Sequence, residues 1–187
     1  NTAVGYACMG ANSTGSENTA VGANALDANT TATNNTAVGY GALTSCNTGT
    51  NNTAVGRSAL ANSAAASSNT AVGASAAINL VDGTANAAFG KDSLASATSA
   101  SECAGFGHDT LGAVTTGDKN TACGRAAGVG ITSGSNNTCL GMDAGRSNSP
   151  SGNLTTEDNN VVLGNDQVAN LFCQDTSISS SDSRDKT

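Results

Sequence analysis

Apolar and polar positions along this chain recur at one fixed interval. An N-T-A-V-G phrase begins at Asn1, Asn18, Asn35, Asn52 and Asn69, and looser copies follow at Asn86, Cys103, Asn120 and Asn137. Every step among these is seventeen residues, and a tenth copy, NVVLG, begins at Asn160 after a step of twenty-three. A phrase repeated at constant spacing is the mark of a repeat architecture, in which each unit packs on the next. Position four of the unit is always apolar: Val4, Val21, Val38, Val55, Val72, Phe89, Phe106, Cys123, Leu140 and Leu163. Position five is always glycine: Gly5, Gly22, Gly39, Gly56, Gly73, Gly90, Gly107, Gly124, Gly141 and Gly164. Position nine is mostly Leu or another apolar residue, with Gly128 and Gly145 as exceptions.

Seventeen residues are too few for a pair of packed helices, whose repeats run to roughly 33–47 residues. Each unit also carries Gly, β-branched residues and many Asn, Ser and Thr, all poor helix formers. The pattern predicts two short strands per unit, T-A-V and x-x-A-L, with the invariant Gly at the bend between them. Period-two alternation sends Thr and Val to one face and Ala to the other. Units stacked about 4.8 Å apart place like over like. The Asn column then becomes an amide ladder, and the position-four column becomes an apolar stripe that is expected to be buried. The expected fold is all-β: a parallel β-solenoid or β-roll of ten short rungs with a 17-residue period, forming a rod of roughly 48 Å.

Composition refines this picture. Apolar residues make up 37% of the chain, but there is no Trp and there are only three Phe and two Tyr, and much of the apolar share is Ala. A single chain so composed is expected to fall short of a closed core, and a homotrimer sharing the position-four column as a central seam would add burial. The repeat domain spans 1–168, with an insertion loop at about 147–159 that holds the sole proline, Pro150; residues 169–187 form a C-terminal tail. The chain opens within the pattern, so it is expected to be part of a longer protein. No apolar run long enough for a membrane-spanning helix occurs. A net charge of −7 with seven Lys and Arg argues against a nucleic-acid partner.

Candidate chemistry is sparse. The six cysteines, at 8, 46, 103, 123, 139 and 173, form no C-x-x-C pair, so neither zinc nor another metal is indicated. Small buried hydrophobes are the expectation for them, with a disulfide framework as the alternative. Cys123 and Cys139 fall on oppositely facing columns and are poor partners for each other. His108, the sole histidine, shares column six with Tyr6, Tyr40, Arg57, Lys91, Arg125 and Met142, and is expected at the surface without catalytic company. Asp92, Asp109, Asp143 and Asp166 share column seven, which reads as a solubilising acidic surface or, alternatively, a calcium-binding stack. The glycines of GRAAGVG (124–130) belong to the repeat and match no phosphate loop, and no cofactor is expected. N-x-[ST] sequons occur at Asn12, Asn29, Asn34, Asn51, Asn136 and Asn153.

The NTAVGxxAL units resemble the repeats of bacteriophage tail fibres and related virion adhesins across about residues 1–168. They are also similar, less closely, to the head repeats of trimeric autotransporter adhesins. At the end of the chain, SSSDSRDKT is similar to the S-D-x-R-x-K opening of the intramolecular chaperone carried by phage tail fibres and endosialidases. That resemblance implies self-cleavage at the Ser180–Ser181 bond, with Ser181 and Lys186 as the reactive pair beside Asp182 and Arg184. Together the resemblances imply a non-enzymatic, trimeric, structural and adhesive fibre segment of a phage tail. Its partner would be a host cell-surface glycan or protein receptor, and its place the virion or the extracellular side of a cell, without membrane insertion. A bacterial surface adhesin or filament subunit is the alternative. A glycan-cleaving spike comes third, since the insertion supplies only Glu157 and Asp158 as paired acids.

Overall fold

The computed structural model describes residues 1–147, 149 and 151–169. It contains ten three-residue strands and, among the described residues, no helix. The strands are β1 (Thr2–Val4), β2 (Thr19–Val21), β3 (Thr36–Val38), β4 (Thr53–Val55), β5 (Thr70–Val72), β6 (Ala87–Phe89), β7 (Ala104–Phe106), β8 (Thr121–Cys123), β9 (Thr138–Leu140) and β10 (Val161–Leu163). They form one parallel sheet in strict chain order. The register is the repeat itself: Ala20 sits on Ala37, Ala37 on Ala54 and Ala54 on Ala71. The fold is a β-solenoid with a period of seventeen residues, and ten strands at about 4.8 Å make a stack of roughly 43 Å.

Inter-rung hydrogen bonding continues around the turns. The position-nine amide donates to the position-eight carbonyl of the next rung, as from Leu43 N–H to Ala59 O at 3.0 Å. The position-seven amide donates back to the previous rung, as from Ser58 N–H to Tyr40 O at 2.9 Å. These bonds require left-handed backbone: Leu26, Leu43, Leu60 and Leu111 all have φ near 50°. A left-handed residue costs about 1–2 kcal/mol. Complete burial of a leucine, worth about 1.5–3 kcal/mol, offsets it. At position five the demand is stricter. Gly39 has φ +137°, and a Cβ there would lie 2.6 Å from the Gly56 carbonyl oxygen, so both conformation and space exclude any side chain.

Three expectations are corrected. Positions six to nine form a turn, so each rung has one strand instead of two. Column four is not the core: Val38, Val55 and Val72 are half-buried, and Val4, Val21, Phe89, Phe106, Cys123, Leu140 and Leu163 are exposed. The alternation holds, but its inward side is the Ala column, with Ala20, Ala37, Ala54, Ala71 and Ala122 fully buried. Finally, a single chain does close a core. A seventeen-residue loop encloses so narrow an interior that the strand can present only small side chains to it, and the space opposite is filled by leucine from the turn.

That space holds one large aliphatic in most rungs, supplied from either of two positions, and two in the seventh, where Leu111 and Val114 are both buried. Leu26, Leu43 and Leu60 occupy position nine opposite Asn29, Cys46 and Ser63 at position twelve, all buried. In the fifth rung the sizes exchange to Ala77 and Leu80, and in the eighth to Gly128 and Ile131. A Cβ on Gly128 would lie 2.8 Å from Leu111 Cδ2, and one on Gly145 would lie 2.9 Å from Cys139 Sγ. The small residues are therefore the complement of large neighbours. Polar interlopers are also matched: Ser93 and Thr110 hydroxyls bond each other at 2.8 Å beside Gly105, where a Cβ would collide with Ser93 Oγ at 2.6 Å.

The asparagine column is buried from Asn18 onward, apart from half-buried Asn160, and its ladder contains the expected amide-to-amide bonds and adds bonds to the backbone. Asn35 Oδ1 accepts from the Asn52 backbone N–H at 2.9 Å and from Asn52 Nδ2 at 3.1 Å. Asn52 Nδ2 also donates within its own rung to Ala66 O at 2.7 Å. Each amide thus joins its rung across the loop and joins it to the next. The insertion lies between Gly145 and Leu154, whose N–H donates to Gly145 O at 3.0 Å and resumes the regular turn. It therefore ends earlier than the expected 147–159.

Two outcomes follow. Asn52→Ala orphans the Ala66 carbonyl and the Asn69 amide, and should lower unfolding free energy by roughly 2–6 kcal/mol at about 1–3 kcal/mol per group, measured by urea titration. Leu60→Ala alone should cost about 2–5 kcal/mol and Ser63→Leu alone about 1–3 kcal/mol. The double variant, copying the fifth rung, should recover most of the loss; strict additivity in the double-mutant cycle would refute the size exchange.

Candidate functional site

The outward side of the sheet is the most extended chemical feature of the rod. It presents column two, mainly Thr, and column four, Val, Phe, Cys or Leu, on ten consecutive strands. Positions one to five contain no charged residue in any of the ten copies, although the chain carries a net charge of −7. Val4 is 58% exposed and Phe106 44%. Phe89 and Phe106 stack with ring centroids 5.2 Å apart and planes 7° from parallel. The apolar column is continuous, half-buried at Val38, Val55 and Val72 and exposed on the other strands, and contiguous apolar surface of this kind is common at interaction sites. The signal was present in the position-four pattern, but periodicity alone could not say that this column faces outward.

Beside this face run columns six and seven. Tyr6, Tyr40, Arg57, Lys91, His108, Arg125 and Met142 are all exposed. Asp143 is buried between Arg125 Nη2 at 3.1 Å and Arg146 Nη1 at 2.8 Å, so its charge is matched by two guanidinium groups. Asp92 pairs with Lys91. Ala126 separates Asp109 from Asp143 in the column, and Asp166 is exposed at the last rung, so the four carboxylates do not form one stack. Among the described residues no group of three or more His, Cys, Asp or Glu is placed to hold a metal ion, and no pocket is present.

The paired acids after the insertion are engaged by backbone. Glu157 Oε2 accepts from the Thr155 and Thr156 amides, which holds its carboxyl below the usual range. Asp158 Oδ1 accepts from Ser135 N–H at 2.6 Å. This continues a position-sixteen ladder in which Ser101 N–H donates to Asp118 Oδ1 and Asp118 N–H to Ser135 Oγ. Of the sequons, Asn29 is buried with its amide bonded to Ala32, while Asn34, Asn51, Asn136 and Asn153 are exposed. Ser181 and Lys186 lie outside the described residues, as do Asp182, Arg184 and Cys173.

The five described cysteines are free. Cys46, Cys103 and Cys139 are buried, Cys8 is half-buried and Cys123 is exposed. Cys103 stands in the asparagine column, and its thiol replaces the amide donor by bonding Gly117 O at 3.3 Å. Desolvation raises the thiols of Cys46, Cys103 and Cys139 to about 11 each. Comparison with known proteins finds no matching family model, no matching curated sequence and no matching solved structure.

The raised thiols predict a pH limit. Their stabilisation is complete below the unfolded thiol value of about 8.5, and it is lost as pH rises toward the folded value of about 11. Stability should therefore decline between those limits. A variant with Cys46, Cys103 and Cys139 each replaced by Ala should lose that decline in thermal melts recorded across the range.

Proposed function

We propose that this chain is a structural and adhesive fibre segment that assembles as a homotrimer through its outward sheet face and serves attachment to a host cell surface, as part of a phage tail. The observation that carries this reading is the uncharged, apolar face running the whole length of an otherwise acidic rod. Three-residue strands about 10 Å wide, stacked over roughly 43 Å, give about 430 Å² of sheet per copy. That is over half of the ~800 Å² a partner contributes to a standard interface, before the flanking turns are counted. Another copy of the chain has the same axial period, so its side chains can meet this face at every rung. Like-charged copies also repel least where neither carries charge. The resemblance of the NTAVGxxAL units to tail-fibre repeats supports the virion setting. The S-D-x-R-x-K resemblance at Ser181–Lys186 supports a chaperone junction beyond the rod.

Val38→Asp separates this assembly from the fold. Column four lies outside the core, so the variant chain should keep its far-ultraviolet spectrum, while mass photometry should show single chains where the wild type shows trimers. Wild-type rods labelled with a fluorophore should adhere to host bacteria, and Val38→Asp should lower retained fluorescence by tenfold or more, since the avidity of linked copies can add a factor of about 10²–10⁴. Wild-type single chains at micromolar concentration, or adhesion undiminished in the variant, would refute the reading.

A further inference from the structure

The outward face is uniform over half its length and then changes in a coordinated way. The first five strands present Thr at column two and Val at column four: Thr2 with Val4 through Thr70 with Val72. In β6 and β7 both columns change together, to Ala87 with Phe89 and Ala104 with Phe106. The large residue gains a ring where its neighbour loses a hydroxyl and a methyl. The pattern then returns to Thr at Thr121 and Thr138, with Cys123 and Leu140. The Phe rings stand as a stacked pair, 36% and 44% exposed, beside the two half-buried alanines.

We infer that β6 and β7 form an axial register key, by which one copy of the chain recognises the same two rungs of another. This rests on the assembly proposed above. Five identical Thr–Val rungs cannot fix how far one rod slides along its neighbour, because a slide of one rung, about 4.8 Å, returns Val to Val and Thr to Thr. Cyclic association about the rod axis is heterologous, so the column-four side of one copy meets the column-two side of the next. At matching height each Phe faces the recess left by Ala. After a slide of two rungs both rings meet Thr53 and Thr70, or Thr121 and Thr138, and both recesses stand empty. Bulk and recess at the same height make the aligned arrangement the unique one, which is specificity by penalty on the alternatives.

The key is tested by moving it. A full-length chain carrying Thr19→Ala, Val21→Phe, Thr36→Ala, Val38→Phe, Ala87→Thr, Phe89→Val, Ala104→Thr and Phe106→Val has the same composition, with the key four rungs away. Wild type and this chain, distinguished by a mass tag, are unfolded, mixed in equal amounts, refolded and weighed by native mass spectrometry. Each should sort with its own kind, with mixed trimers about tenfold below their binomial share, a difference of about 1.4 kcal/mol. Binomial mixing would overturn the key while leaving trimeric assembly standing. Single-chain particles from wild type would instead remove the assembly and the key with it. If the transposed chain fails to assemble alone, the chain with only the four changes at Ala87, Phe89, Ala104 and Phe106 decides the matter. It should join itself and be excluded from wild-type trimers, and free mixing again overturns the key.

Discussion

The governing constraint of this rod is that every side chain sits on the equivalent residue of the next rung, about 4.8 Å away. Each column must therefore tolerate its own repetition. Glycine at position five does so because nothing larger fits over the next carbonyl. Asparagine at position one does so because its amide both accepts from the rung that follows it in sequence and donates across its own. Charge tolerates repetition badly unless it is matched: Asp92 pairs with Lys91, and Asp143 is clamped by Arg125 and Arg146.

Within that constraint the interior trades size between positions nine and twelve, most rungs holding one large aliphatic and the seventh holding both Leu111 and Val114. Leu60 with Ser63 and Ala77 with Leu80 are two solutions of the same cross-section. The exchange explains departures from the repeat that look like decay in the sequence. Gly128 and Gly145 compensate for Leu111, Ile131, Cys139 and Leu154, and Gly105 makes room for the Ser93–Thr110 hydroxyl pair. Buried cysteines take their places as small side chains, and Cys103 shows that a thiol can substitute for an amide donor in the ladder.

Outside, the same stacking produces a face whose chemistry follows from what it omits. Columns one to five carry no charge, so among the described residues the acids lie outside the strands and their glycine bends. The face is long, apolar and periodic, properties that suit a partner of equal period. Its exchange of Ala for Thr and Phe for Val, at β6 and β7, sets these two rungs apart from the uniform Thr–Val run of β1 to β5.

The sequence by itself determined the period, the all-β class, the strand register and the glycine column, because repetition at seventeen residues leaves no other pairing of like with like. It also determined that Thr and Val share one face and Ala the other, since strand alternation has a period of two. It did not determine which face is inward. Hydrophobicity favours Val, yet Ala37 is buried and Val38 is not. The reason is the cross-section: position nine swings its leucine inward on a left-handed backbone, and the strand opposite can then contribute only a methyl group. That choice depends on the closure of the whole loop, as does the turn at positions six to nine, where x-x-A-L has the pattern of a strand and the geometry of a corner. The position of the apolar surface was likewise decided only when the loop closed and left column four outside.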